Sequence, residues 1–200
     1  MTPETVGAVG EMVERVDDRD HVQGIVERGE AVSRGWLHRV ATTVCRDEAG
    51  RILVYRRPKD VNRFPECYDV MVGGAVRIGE SYEAAAAREV TEELGVRSPV
   101  CFLFKFLCHG AISPYWLGVH EAVISTEVTV DPTEVAWHGW LTETELQEAV
   151  RRWPFIPDGQ EAFSRYLTLR GDAGQVENEQ GPLPAPTLRD AAYRLGWPRQ

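Results

Sequence analysis

The stretch GAVRIGESYEAAAAREVTEELGV, running from Gly74 to Val96, constrains this chain more than any other. Ala84 to Ala87 are four strong helix formers in a row, and Gly95 stands where a helix stops, so a helix is predicted over Glu83 to Leu94. At about 100° per residue, with Glu89 as zero, Glu93 falls near +40° and Glu92 near −60°. Ala87, Val90 and Leu94 gather between about +100° and +160°. One arc of the helix is therefore carboxylate and its neighbour is apolar. The apolar arc can pack against a sheet, which predicts three acids held on a supported element and facing solvent. Like charges within one turn repel by a few tenths of a kcal/mol per exposed pair, so something must neutralise them. Arg88, four residues before Glu92, is one candidate. A hard divalent cation, which takes carboxylate oxygens and leaves positions for water and substrate phosphate, is the other.

On the N-terminal side, strands are predicted over Leu37 to Cys45 and Arg51 to Arg56, joined by the turn Asp47-Glu48-Ala49-Gly50. A basic, proline-flanked loop follows from Arg57 to Glu66, then a short apolar run from Tyr68 to Val72. Beyond the helix, Val100 to Leu107, Trp116 to Ser125 and Glu127 to Val130 read as strands by their β-branched and aromatic content, with a hairpin-like Trp137 to Leu141. Thr142 and Glu145 form a capping-box pattern, which predicts a helix over about residues 143–152, and a second helix is expected at about 158–169. Strands on both sides of a central helix, with helices at the end, argue for a mixed sheet covered by helices, an α/β or α+β fold. Residues 1–35 read as an N-terminal arm, polar, acidic and peripheral to Asp20, and a short hairpin around Gly24 packed on the domain. The domain itself is placed at 36–170. Residues 171–200 read as a flexible linker to Pro186 and a short terminal helix over Thr187 to Gly196.

The chain has 200 residues, 43% hydrophobic and 26% charged, which fits one globular domain with decorations and excludes a disordered chain. A net charge of −9 argues against a broad grip on duplex nucleic acid, so a polyanionic substrate needs a local basic exception. Arg56, Arg57, Lys59, Arg63 and Arg77 supply one; of these Arg57 and Arg77 are the substrate-phosphate candidates. No apolar run is long enough to span a bilayer, and the beginning lacks a basic-then-apolar signal pattern, so a cytoplasmic location is expected. Cys45, Cys67, Cys101 and Cys108 lack metal-site spacing and read as reduced thiols.

Gly74, Glu80, Arg88-Glu89-Val90, Glu92-Glu93 and Gly95-Val96 match every specified position of G-x5-E-x7-R-E-U-x-E-E-x-G-U, and the stretch resembles a complete Nudix box. The looser resemblance covers about residues 36–145. It implies a Nudix α/β/α sandwich with a central mixed sheet, and a metal-dependent enzyme that hydrolyses a nucleoside diphosphate linked to another group. It further implies Mg²⁺, with Mn²⁺ as a substitute, held by Glu89, Glu92 and Glu93 with Glu80 as a further acid and the Gly74 carbonyl as a possible ligand. Arg88 is then the charge that orients the acids. Metal bound to a diphosphate neutralises charge on phosphoryl oxygens and lowers the pKa of a bound water. Glu89 or Glu93 then serves to position or deprotonate that water, and Glu134 is a candidate base from a later loop. The expected partner is a small-molecule diphosphate, with a homodimer through edge strands as an option.

Val26-Glu27-Arg28-Gly29-Glu30 and Gly35-Trp36-Leu37-His38-Arg39 resemble the Nudix branch related to isopentenyl-diphosphate isomerase. That enzyme has a catalytic cysteine just before the box glycine and a metal-binding histidine just after it, where this chain has Gly73 and Ala75. Hydrolysis is therefore expected over isomerisation, and His38 is read as a structural strand residue. A further alternative is a domain that binds a nucleotide metabolite without turning it over, which gives no reason to keep three mutually repelling acids.

Overall fold

The computed structural model describes residues 10–180, with side chains to residue 171. Its order is β1 (Met12–Val16), β2 (Val22–Glu27), α1 (Arg28–Arg34), β3 (Arg39–Asp47), β4 (Ile52–Arg56), β5 (Tyr68–Asp69), β6 (Met71–Ala75), α2 (Tyr82–Leu94), β7 (Val100–Cys108), β8 (Tyr115–Ile124), β9 (Trp137–Leu141), α3 (Glu143–Arg152) and α4 (Pro157–Gln180). β1 and β2 form a hairpin of their own, and the other seven strands make one sheet. β3 is its axis. It runs parallel to β8 from Arg39↔Trp116 to Asp47↔Ile124 and antiparallel to β6 from Val40↔Ala75 to Val44↔Met71. β4 pairs antiparallel with β5 and β9, and β7 antiparallel with β8, so the sheet is mixed.

Alternation along the strands sends side chains to two separate cores. Val44, Ile52, Val54, Met71, Leu117 and Val119 pack against α3 and α4 through Leu146, Ala149, Phe163 and Tyr166. Cys45, Leu53, Tyr55, Val72, Ala122 and Ile124 pack against α2 through Val90 and Leu94. The result is a layered sandwich with helices on both faces of the sheet, as the pattern predicts. The α4 side carries a buried polar link as well: Arg46 Nε donates to the Tyr166 hydroxyl at 2.6 Å, and that hydroxyl bonds Glu121.

The predicted α2 holds, with Ser81 as its N-cap and Gly95 as its C-cap at φ 67°. Its buried face is Ala85, Ala86, Val90 and Leu94, set slightly around from the predicted arc. Gly95 is needed twice over, because a Cβ there would also stand 2.6 Å from the Thr129 carbonyl. The capping box forms as read: Thr142 Oγ1 accepts from Glu145 N, and Glu145 accepts from Thr142 N at 2.8 Å. The four cysteines are free thiols, and among the described residues no helix is long and apolar enough to cross a membrane.

Three expectations are corrected. Residues 127–130 form no strand. Thr129 N–H donates to Leu94 O at 2.8 Å and Asp131 N–H to Glu93 O at 2.9 Å, so this segment satisfies the orphan carbonyls at the end of α2 instead of joining the sheet. The N-terminal hairpin turns at 17–21 and not around Gly24, and β1 is not peripheral, for Val13 and Val16 are buried. Buried Asp20 accepts from Arg39 Nε and Lys105 Nζ, each at 2.6 Å, and from the Tyr82 hydroxyl at 3.2 Å. Polar residues that face inward to meet charge leave no apolar alternation to read. Finally, α4 continues through Gly171 to Gln180, where the sequence places the start of a linker. The terminal helix expected at 187–196 lies outside the described residues.

Candidate active site

Arg88 organises the carboxylates of α2 and the turn before it. Its Nε and Nη2 donate to the two oxygens of Glu80, each at 3.0 Å. Nη1 donates to Glu89 at 2.6 Å and to Glu92 at 3.0 Å, and Nη2 reaches the Ala75 carbonyl at 3.0 Å. One guanidinium thus spreads its donors over three acids and a strand carbonyl, which holds its pKa above the ordinary arginine value, chiefly through the bonds to Glu80. Glu80 also accepts from Arg77 N–H, and these bonds offset burial to keep its carboxyl below the usual range.

The acids differ sharply in environment. The Glu92 side chain is 49% exposed and shared by Arg88 and Arg77. Glu89 is largely covered; burial raises its pKa against the pull of Arg88. Its carboxylate lies against the Gly74 backbone, where a Cβ would stand 2.5 Å from Oε1. Glu93 is only 7% exposed, a correction to the solvent-facing arc expected for all three glutamates. It points inward and accepts from Gly73 N–H at 3.2 Å. Burial, then the charges of Glu89 and Glu134, push its pKa well up, opposed by Gly73 N–H and Arg57. Glu134 itself is exposed on the loop before β9, close enough for its charge to reach Glu93.

Among the described residues, no three histidine, cysteine or acidic side chains converge as they stand on one metal-sized position, since Arg88 takes up oxygens of Glu80, Glu89 and Glu92. The donor chemistry still fits a hard divalent ion. Glu93 is a buried carboxylate pressed by two further carboxylates and opposed by the charge of Arg57, and added positive charge there would relieve the conflict.

A cavity of about 190 Å³ opens beside Gly73, lined by Arg57, Arg63 and Asp69, and by Arg28 and Val32 of α1. The structure therefore brings Arg57 to this cavity. Arg77 is placed elsewhere, exposed and paired with Glu92. Two lining residues are not among the site residues expected from the sequence. Asp69 is buried, accepts from Val70 and Met71 N–H, and is pushed up to about 7, by burial first. Arg28 comes from the N-terminal arm, at the start of α1. His38, expected to be structural, is 2% exposed and also lines it.

Comparison with known proteins shows the family and the fold. The family model of the NUDIX domain matches residues 36–159. An uncharacterised Nudix hydrolase of Streptomyces coelicolor is 42% identical over 84% of this chain and 95% of its own length. A prenyl-diphosphate phosphatase of Methanosarcina mazei is 33% identical over 72% of this chain and 86% of its own. Among solved structures, a crystal structure from Deinococcus radiodurans superposes with a TM-score of 0.68 at 29% identity, covering 78% of this chain and 98% of that one.

Proposed function

Because the chain belongs to the Nudix family of hydrolases, we propose that it cleaves the diphosphate linkage of a nucleoside diphosphate joined to a second moiety, by attack of water on phosphorus. The observation that carries this reading is Glu93, a buried carboxylate crowded by Glu89 and Glu134 and bonded to the strand beside the cavity. Mg²⁺, or Mn²⁺ in its place, is the expected ion, held by Glu89, Glu92 and Glu93 with the Gly74 carbonyl as a further donor. When bound, such an ion neutralises charge on diphosphate oxygens and lowers the pKa of a coordinated water.

The chain's own residues do the rest. Arg88 and Glu80 are positioning residues: the guanidinium spans Glu80, Glu89, Glu92 and the Ala75 carbonyl, which fixes the acids relative to β6. Glu134, exposed and near Glu93, accepts the proton released by the attacking water. Arg57, which lines the cavity and whose charge reaches Glu93, orients a phosphoryl group. Isomerase chemistry is disfavoured by space as well as by residue type. A Cβ at Gly73 would stand 2.1 Å from the Ala41 carbonyl, so the backbone leaves no room for the thiol that reaction uses.

A second reading, hydrolysis of a prenyl diphosphate, is supported by the Methanosarcina mazei relative and by the apolar part of the cavity wall, Val32, Val40, Met71, Leu117 and Ile156. A panel of nucleoside diphosphate derivatives and prenyl diphosphates, assayed with Mg²⁺ for product release and identity, a nucleoside monophosphate with a phosphorylated second moiety from the former and a prenyl monophosphate or alcohol from the latter, separates the two. Turnover of a nucleoside compound that disappears in Glu93→Gln supports the main reading. Turnover of prenyl diphosphates alone supports the second. Tight binding of one compound with no release from any would make the domain a sensor.

A further inference from the structure

The turn between β6 and α2 carries Glu80, and the N-terminal arm grips that turn on either side of it. Glu14 of β1 offers one carboxylate oxygen to the Gly79 N–H at 3.1 Å and the other to Arg39 Nη1 at 2.9 Å. Asp20, between β1 and β2, accepts from the hydroxyl of Tyr82, the first residue of α2, at 3.2 Å. Val13, fully buried, adds an antiparallel backbone bridge to Arg77. The arm therefore touches positions 77, 79 and 82, and Glu80 lies between them. Gly79 stands at φ 73°, one of many conformations that glycine samples freely, so a fixed acceptor on its N–H restricts the turn.

The acids that grip the turn are themselves tied to the sheet. Arg39, at the start of β3, donates to the carboxylates of Glu14 and Asp20 and, through Nη2, to the Asp20 carbonyl at 2.6 Å. Lys105 of β7 donates to the second oxygen of Asp20. Glu14, Asp20 and Arg39 are all largely covered from solvent, where charge-assisted bonds of this kind are strong. Two further bonds fasten the same hairpin: Val16 N–H to the Leu37 carbonyl at 2.9 Å and Trp116 Nε1 to the Asp17 carbonyl at 3.1 Å. The Tyr82 ring is seated as well, against β8 at Gly118, where a Cβ would stand 2.4 Å from it. β1 and the sheet thus form one support, and the turn is bound to it.

We propose that Glu14, anchored by Arg39 and Asp20, is a positioning residue for the carboxylate cluster. It fixes the turn at Gly79, and so fixes Glu80, whose N–H and carboxylate both bond the Arg77 backbone at 3.0 Å. The Glu80 carboxylate takes Nε and Nη2 of Arg88, which leaves Nη1 directed at Glu89 and Glu92. A loose turn would free Glu80, and with it the fork that sets the direction of the other two acids. Glu14 lies outside the matched domain of 36–159, so a segment beyond the box completes the geometry of the box. The clamp stands on contacts of the folded chain, and its effect on turnover rests on the hydrolase reading.

The test is hydrogen exchange followed by NMR on the full chain without divalent metal, read at the Gly79 and Glu80 amides and at Arg88 Nε–H. Glu14→Ala is expected to speed all three about tenfold while the amides of β8 keep their wild-type rates. Arg51→Gln, which breaks a pair with Asp47 on the turn before β4, should change none of them. Glu14→Gln keeps an oxygen for the Gly79 N–H and should restore most of its protection. With a hydrolysed substrate, Glu14→Ala is expected to lower kcat per folded molecule about tenfold and to leave KM within a factor of about three. Should Glu14→Ala unfold, Glu14→Asp, one methylene short of its two partners, decides: exchange at Gly79 about threefold faster supports the clamp, and wild-type rates overturn it. Wild-type exchange at Gly79 and Arg88 in Glu14→Ala, or faster exchange with kcat unmoved, overturns the positioning role. Faster exchange at both residues with no compound hydrolysed by the wild type leaves the clamp standing and removes the hydrolase reading; hydrolysis with exchange unmoved does the reverse.

Discussion

The carboxylate of Glu93 accepts a hydrogen bond from the Gly73 N–H at 3.2 Å, which joins the middle layer of the fold to the last turn of α2 at the point where the sheet meets the cavity. A glutamine at 93 can still accept that bond through its amide oxygen but carries no charge. Glu93→Gln is therefore expected to keep the fold and to lower turnover by at least about a hundredfold, the scale of losing a positioned charged group in a hydrolytic site. Initial rates with Mg²⁺ alongside a thermal melt check this; a variant that unfolds would make the glutamate structural.

Arg88 makes five side-chain hydrogen bonds across four partners while mostly covered from solvent. Removing it strips Glu80, Glu89 and Glu92 of the cation they share. Arg88→Ala should lose about 2–4 kcal/mol of stability along with activity. Arg88→Lys keeps the charge but not the planar fork, and should recover more stability than rate. Urea titrations paired with kcat measurements distinguish the two effects.

Adjacent glycines should respond differently to a methyl group. At Gly73 a Cβ meets the Ala41 carbonyl at 2.1 Å and the Thr42 Cα at 2.7 Å, fixed backbone of the central strand. At Gly74 its nearest neighbours are the atoms of the Glu89 carboxylate, the end of a flexible side chain that can rotate away. Gly73→Ala is expected to cost several kcal/mol and to impair folding. Gly74→Ala should fold, with activity reduced at least about tenfold because Glu89 is displaced. Comparing the two melting temperatures tests the contrast.

Asp69 carries a pH dependence whose sign follows from its burial. Its native pKa, pushed up to about 7, lies above the 3.8 of an ordinary aspartate, so the folded chain binds a proton that the unfolded chain has released. Its contribution is fully present below about pH 4, declines as pH rises, and is gone above about pH 7, a change on the order of 4 kcal/mol. Asp69→Asn removes the titration and can keep the oxygen that accepts from Val70 and Met71. Denaturation at pH 5 and pH 8 should show the wild type losing more stability than the variant; parallel losses would refute the assignment.

Legibility in the sequence differs by element. α2, its glycine stop and the Thr142–Glu145 capping box are set by residues within a few positions of one another, and all stand as read. The 127–130 segment has strand-like composition but is spent on the carbonyls of Glu93 and Leu94, a demand created only once α2 is packed. The β1–β2 hairpin hid for the converse reason, since Asp20 and Glu14 face inward towards cations some 20 to 85 positions away in the chain.

Residue order alone sets the family pattern, the layered α/β class and which helix bears the acids, because each depends on short-range spacing and periodicity. Packing in three dimensions is what turns Glu93 inward while Glu92 stays in water, takes Arg57 to the cavity while Arg77 remains outside it, and brings Arg28 there from the N-terminal arm. Those outcomes depend on which distant backbone a side chain meets, and burial and charge proximity are properties of the folded arrangement, not of neighbours along the chain.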